Sequence, residues 1–341
     1  MNLKNIITYT ILSIFAFAIY YLSWIYWVLE FVLYICFYTL IFYFFHFLWT
    51  KFRKKKIMNF NEFINYFLKR ISVFLIIFTF LFWWGAYLLN EIFPAPMPEY
   101  TLTDWKKIVI FQAMSHIWTK EFYEEIVNNI TNVKKDWGVY FFEWVRPWKK
   151  ENIEKFNSVL WMEFDENLYK NFSKLYWVTH QDNSMFLWLV NELDFNVDIG
   201  IDEIITLYDE KIKSKPEWEK AIKNKIPLDA NKIIIETLVW LNDRQLKLLV
   251  YINQAILNFI IWSENTQQFL TNNFTNKDLF DIILWKRNEV LTDEIINTEY
   301  NNIYITYWLL HFKWVFELLK ENNSDWKIIS TKNLYPIKKY K

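Results

Sequence analysis

The chain has 341 residues, with 38 basic side chains against 38 acidic ones and 54% hydrophobic residues. That balance excludes a solvated, disordered polyampholyte and gives no electrostatic footprint for nucleic acid. The single cysteine excludes an internal disulfide framework, and only 3 Gly stand beside 20 Trp.

From the amino terminus, Asn5 to Ser23 and Val28 to Trp49 are nearly uncharged apolar runs of about 20 residues, the length that crosses a bilayer as a helix. Cys36 and His46 lie inside the second. Residues 1–50 are therefore read as two transmembrane helices and 71–93 as a third. A removable signal peptide is a poorer account, because its apolar core is shorter and a small-residue cleavage site follows it.

Between the second and third spans, residues 51–70 hold Lys51, Arg53, Lys54, Lys55, Lys56, Lys69 and Arg70, whereas the first link has no basic residue. Basic loops stay on the cytoplasmic side, so the amino terminus with Lys4 is expected inside and everything after the third span outside. Within the basic loop, Phe60, Phe63, Ile64 and Phe67 fall at helical spacing, as for a short helix on the inner membrane surface. Pro94, Pro96 and Pro98 then predict a stiff spacer over 94–100.

Residues 101–341 are long enough for one compact domain with its own core. Ile108 to Met114 reads as a buried strand, and Thr119 to Asn132 as a helix capped by Thr119 with Phe122, Ile126 and Ile130 on one face. Val139 to Phe142 is a second apolar strand. The middle of the domain is mostly helical, with one long stretch from Asn231 to about Trp262. Lys277 to Ile296 reads as helix, Ile303 to Tyr307 as strand, His311 to Glu321 as helix and Trp326 to Ser330 as a last strand. The expected class is α/β: a mostly parallel sheet with flanking helices and a helical insertion, preceded by three transmembrane helices.

Ordinary composition supplies about 7% Gly, roughly 24 residues here. The Trp and Gly counts together reach that figure, as a gene would if its UGA codons mean glycine and are translated through a table that gives Trp. The positions agree: Trp137 beside Gly138, Trp144 and Trp148 around Arg146 and Pro147, and Trp177 and Trp308 all sit where turns are due. For Trp24, Trp27, Trp49, Trp83 and Trp84 a genuine interfacial aromatic belt is the equal alternative.

His116 follows the first strand, Glu143 ends the second and His311 follows the third, which puts all three at the edge where parallel sheets bind ligands. Two imidazoles and a carboxylate make a recurring first shell for a hydrolytic divalent metal. Glycine at Trp308 would let the backbone turn from strand into helix ahead of His311. Arg287 falls among Phe280, Leu284 and Leu291 on an apolar helix face, with Asn288 beside it; it suits either a substrate carboxylate or oxyanion, or a structural ion pair. For each lone histidine a core or capping role is the plain alternative. His180 has no predicted strand before it and is a secondary, substrate-facing candidate. Asp194, Asp198 and Asp202 recur at fours without a calcium-loop pattern, and a strand followed by a helix start explains them.

With glycine restored, the order of His116, Glu143, the pair Arg287-Asn288 and a Gly-x-x-His ending at His311 resembles the TraB, PrgY and GumN family, related to the TIKI proteases. The likeness covers roughly His116 to Val315 and departs at Ala113, where the first Gly-x-x-His has no glycine. The resemblance implies an α/β domain and catalytic roles for His116, Glu143, Arg287, Asn288 and His311, with Arg146 as a substrate contact. It also implies a divalent metal on His116, Glu143 and His311. Two functions are expected from it: a membrane-anchored, outward-facing hydrolase of peptides or related amides, or a non-catalytic protein that sequesters a peptide signal at the bilayer. A weaker third is a surface protein for haem or metal uptake.

Overall fold

The computed structural model describes residues 3–23, 25–144, 148–160, 163, 167–181, 184–215, 228–274 and 276–337. It forms two compact units, one built from the amino-terminal helices with Leu241–Leu248, the other from the rest.

The first unit contains α1 (Leu3–Ser23), α2 (Ile25–Phe52) and α3 (Phe60–Tyr87). Most of their large apolar side chains are exposed, among them Phe17, Leu33, Phe45 and Phe78, as suits helices that meet an apolar solvent. Hydroxyls of Thr10, Thr39, Thr50 and Ser72 bond back to carbonyls four residues earlier, so these four polar tips are paired within their own helices. The short surface helix expected near Asn59 is instead the start of α3. A reciprocal cap starts it: Glu62 N donates to Asn59 Oδ1 (2.9 Å) and Asn59 N to Glu62 Oε2 (3.3 Å). No helix breaker separates Phe60 from the apolar run, so one helix carries both. Four helical stretches among the described residues are long and apolar enough to cross a membrane, the fourth being Asp243–Trp262, which the sequence reading had placed inside the soluble domain.

The second unit opens with β1 (Met97–Thr103), β2 (Ile108–Met114), β3 (Ile117–Trp118), α4 (Lys120–Lys135) and β4 (Val139–Phe142). Then come α5 (Lys150–Leu160), α6 (Leu168–Lys174), β5 (Thr179–His180), α7 (Ser184–Leu187), β6 (Phe195–Asn196) and α8 (Ile201–Lys213). After α9 (Ala230–Trp240), α10 (Asp243–Trp262), α11 (Glu264–Phe274) and α12 (Lys277–Asn297), the chain closes with β7 (Asn302–Trp308), α13 (Phe312–Asn322) and β8 (Lys327–Leu334). The stretch expected as one helix from Asn231 is thus two, broken at Leu241 and Asn242.

Six strands form one sheet in the order β6-β4-β7-β2-β1-β8. The first four are mutually parallel, and β1 runs antiparallel to both β2 and β8. The expected proline spacer is therefore partly strand. Pro98 pairs with Asn333 on β8, while pairing to β2 begins only at Glu99, so the missing N–H costs the β2 ladder nothing.

Alternation along the central strand sets the two layers. Ile303, Ile305 and Tyr307 pack with Leu291, Ile295, Val315 and Leu319 of α12 and α13, whereas Tyr304 packs with Phe122, Ile126 and Ile130 of α4. Thr119 caps α4 by accepting from Phe122 N (3.4 Å), and Asn276 caps α12 by accepting from Asp278 N (3.1 Å) and Leu279 N (3.3 Å). At the far end of α12, Lys107 Nζ donates to the carbonyls of Ile295, Ile296 and Thr298.

Four residues other than glycine have positive φ: Lys54 (51°), Trp105 (76°), Trp137 (59°) and Trp177 (51°). For a bulky side chain that region is an outlier. Trp118 and Trp326, in contrast, are packed into the core.

Candidate functional site

Because β2, β4, β6 and β7 are parallel, their carboxyl ends share one sheet edge. Trp308 ends β7 in register with Met114 of β2, and Phe142 of β4 pairs with Thr306. The helices that follow β2 and β7 pack on opposite faces, α4 on one and α13 on the other. That switch between adjacent strands is where an open α/β sheet leaves a crevice.

Into this edge α12 sends Arg287, which is 9% exposed. Its Nη1 lies 2.6 Å from Glu143 Oε1 and its Nε 2.8 Å from Asp198 Oδ1, with Nη2 donating to Asp198 Oδ2 at 3.3 Å. Glu143 Oε2 also accepts from the backbone N–H of Trp308 (3.3 Å), and Asp198 Oδ1 from that of Ile199 (2.7 Å). One guanidinium thus faces two carboxylates.

His311, fully buried, sits one helical turn beyond β7. Its Nδ1 donates to Asn288 Oδ1 at 2.7 Å, and that bond fixes the tautomer with the lone pair on Nε2. Nε2 is buried and has no hydrogen-bond partner. Adjacent positions 287 and 288 of one helix therefore do separate jobs: Arg287 gathers the acids and Asn288 aims the imidazole.

Burial lowers the His311 pKa to about 3, Glu143 opposing and Arg287 assisting. His116 is likewise lowered by loss of solvation, against the Glu143 charge and with the help of Arg287, although it reaches solvent at the mouth of the crevice. Burial pushes Glu143 up, but Arg287, the two histidines and the Trp308 N–H outweigh it and hold the carboxyl below its ordinary value. Arg287 is raised, since its two carboxylates outweigh the desolvation that opposes them. At neutral pH the edge therefore holds two neutral imidazoles, ionised carboxylates and a permanent cation.

A cavity of about 40 Å³ opens beside these groups, lined by Ser115, His116, Glu143, Trp144, Gln181 and Trp308 among others. The Trp144 and Trp308 side chains occupy space that glycine would leave free. His116 packs its ring on Tyr169, with centroids 4.4 Å apart. Burial pushes that phenol up to about 12, with Glu143 adding to the effect. His180 belongs to β5, which pairs with β3 next to His116; its neighbour Gln181, not His180, lines the cavity. Arg146 lies outside the described residues.

Sequence reasoning missed three residues at this edge: Asp198, Tyr169 and Gln181. Asp198 follows a strand as Glu143 does, but that strand, Phe195–Asn196, is only two residues long and gives no alternation to mark it. Tyr169 and Gln181 come from the helical insertion, which has no periodic pattern leading to the edge.

A divalent ion is expected on His116, Glu143 and His311, and the donor chemistry fits one: neutral imidazoles, an ionised carboxylate and a buried unpartnered Nε2. The spacing does not close on a single point. Among the described residues no three His, Cys, Asp or Glu side chains are grouped closely enough to hold an ion, and both Glu143 oxygens are engaged. Comparison with protein-family models, curated proteins and solved structures finds no match.

Proposed function

We propose that the chain is a membrane-anchored, outward-facing hydrolase of the TraB/GumN type that acts on peptides or related amides. The observation that carries this reading is the juxtaposition, at one edge of a parallel sheet, of the Arg287-Glu143-Asp198 cluster with a neutral His311 whose Nε2 is unpartnered. In this reading α1, α2 and α3 cross the bilayer, with the basic residues between α2 and α3 on the cytoplasmic side.

His311 Nε2 accepts a proton from the attacking water, and Asn288 holds the ring so that no reorientation precedes the transfer. Arg287 stabilises negative charge that develops on the carbonyl oxygen, in surroundings from which water is largely excluded. Glu143 and Asp198 keep the guanidinium in place, and His116 at the crevice mouth meets the substrate first. A divalent ion held by His116, Glu143 and His311 would take this same His311 Nε2 lone pair, and would supply a Lewis acid and a more acidic water in place of the His311 base.

One observation favours a second reading, in which the same edge binds and sequesters a peptide signal without turnover. Glu143 is fully engaged by Arg287 and Trp308, and the cavity beside it is small.

The experiment is turnover of a peptide library by the full chain in lipid nanodiscs, stripped of metal and then resupplied with Mn²⁺, Co²⁺ or Zn²⁺. Cleavage that His311→Ala and Glu143→Gln each reduce by about 100-fold or more supports the hydrolase. Binding without cleavage, unchanged by His311→Ala, supports sequestration and rejects catalysis.

A further inference from the structure

The turn between α9 and α10 is built into the unit of apolar helices. Asn242 Nδ2 donates to the Leu22 carbonyl (3.0 Å) and Arg244 Nη1 to the Tyr21 carbonyl (3.3 Å), which are the last unpaired acceptors at the carboxyl end of α1. The Arg244 guanidinium also lies over the Tyr21 ring, 4.1 Å from its centroid. Helices on either side of this turn expose large apolar side chains: Ile233, Ile235 and Val239 on α9, then Ile256 and Phe259 on α10. Val239 is 77% exposed, two residues from the fastened turn.

The opposite face of α10 is committed elsewhere. Asn253 and Gln254 donate to the carbonyls of Leu175 and Tyr176, Asn258 donates to Asn90 Oδ1, and Asn258 Oδ1 accepts from Ala95 N. A helix tied by polar side chains along one face and apolar along the other is built for a boundary rather than for hydrocarbon on all sides.

We infer that α9 and α10, joined by this turn in an open helical hairpin, lie in the bilayer interface with their exposed apolar side chains in lipid. The partner is the lipid itself, and α10 does not cross the membrane despite its length and apolarity. The inference rests on the membrane anchor proposed above.

Its test uses the full chain with Cys36→Ser, reconstituted in phosphatidylcholine-phosphatidylglycerol vesicles and labelled with a fluorophore at a single cysteine. Val239→Cys and Ile256→Cys probe the hairpin, Ile77→Cys in α3 probes the anchor, and Glu321→Cys on α13 is the aqueous control. Bromine-substituted acyl chains should quench positions 239 and 256 several-fold more than aqueous iodide does, with the order reversed at 321. Iodide quenching at 239 and 256 while 77 is quenched by lipid overturns the hairpin alone. Iodide quenching at 77 as well overturns the anchor and the hairpin together. Protection of 239 and 256 from both quenchers assigns the face to protein and overturns a lipid partner.

Backbone geometry points independently to glycine at three tryptophan positions. Three of the four non-glycine residues with positive φ are Trp105, Trp137 and Trp177, although Trp is only 20 of 341 residues. All three rings are exposed, so no core packing holds the backbone there. Each position is also a turn that glycine makes: Trp105 follows Asp104, whose carboxylate accepts from Lys106 N and Lys107 N between β1 and β2. Trp137 ends α4, where Gly138 N reaches back to the Val133 carbonyl in the manner of a glycine cap. Trp177 ends α6 in the same way, with Val178 N bonded to the Ser173 carbonyl. We propose that the gene's native host inserts glycine at 105, 137 and 177.

Peptide mass spectrometry of protein isolated from that host should find glycine at all three, and tryptophan at any of them overturns the assignment there. Independently, Trp137→Gly and Trp177→Gly in the chain as written should each raise the Tm by roughly 2–4 °C, because the side chain disfavours positive φ. A lower Tm for either argues that the ring is native at that position.

Discussion

Arg287 has no neutral state to retreat to, so its stability depends on the two carboxylates that face it. Arg287→Met removes the cation that Glu143 and Asp198 share, and the expected loss is about 3–5 kcal/mol by chemical denaturation of the full chain. A loss below about 1 kcal/mol would mean that water reaches the cluster. His311 gives a pH signature of definite sign. Its folded pKa of about 3 lies below the ordinary 6.5, so the unfolded chain binds more protons between those values. Stability therefore falls as pH drops through that window, by about 2 kcal/mol between pH 7.5 and 5. His311→Gln should flatten this part of the profile; an unchanged slope would assign it to other groups. Glu143, Arg287 and His311 were legible in the sequence because each sits at a strand end or breaks an apolar helix face. Asp198 was not, because the strand before it, Phe195–Asn196, is too short to show alternation. The pairing of these residues, as distinct from their positions, is a tertiary fact that no local spacing encodes.

At the scale of elements, the α4-β4 junction is the tightest place described. A Cβ on Gly138 would lie 2.3 Å from Val133 Cγ1, 2.8 Å from the Val133 carbonyl oxygen and 3.0 Å from that of Asn302. Gly138→Ala must push α4 away from β7 and should cost about 1–3 kcal/mol, read from the denaturation midpoint. Wild-type stability in that variant would show that the junction yields. The central strands were legible as continuous apolar runs, and so was the Thr119 cap of α4, whereas the Asn276 cap of α12 emerges only in the structure. Two boundaries were misplaced for physical reasons. Proline at 94, 96 and 98 signals a missing donor but not whether a partner needs it, and the β2 ladder, which begins at Glu99, needs none from Pro98. A basic patch at Lys69 and Arg70 looks like the end of a surface helix, yet charges do not stop a helix, and α3 runs through them.

For the whole molecule, the proposed orientation rests on the basic residues between α2 and α3. An alkaline phosphatase fused after Lys341 should be active in cells and a green fluorescent reporter dark, since the first folds outside and the second inside. The opposite result would invert the topology and with it the outward-facing hydrolase. Length and apolarity made the membrane helices legible early. They also make α10 look like one more, and only its polar ties to Asn90, Leu175 and Tyr176 distinguish it.

Strand β1 comes immediately after the apolar helices, yet one of its two neighbours, β8, ends near the last described residues. During synthesis, then, β1 can pair with β2 early but keeps an open edge until more than 200 further residues have been made. An open edge is a template for the wrong partner. The sheet is thus a clasp closed by β8, and a ribosome that stalls before Lys327 releases a protein with α1, α2 and α3 complete but its sheet unsealed. Such products should be the form that quality-control proteases remove.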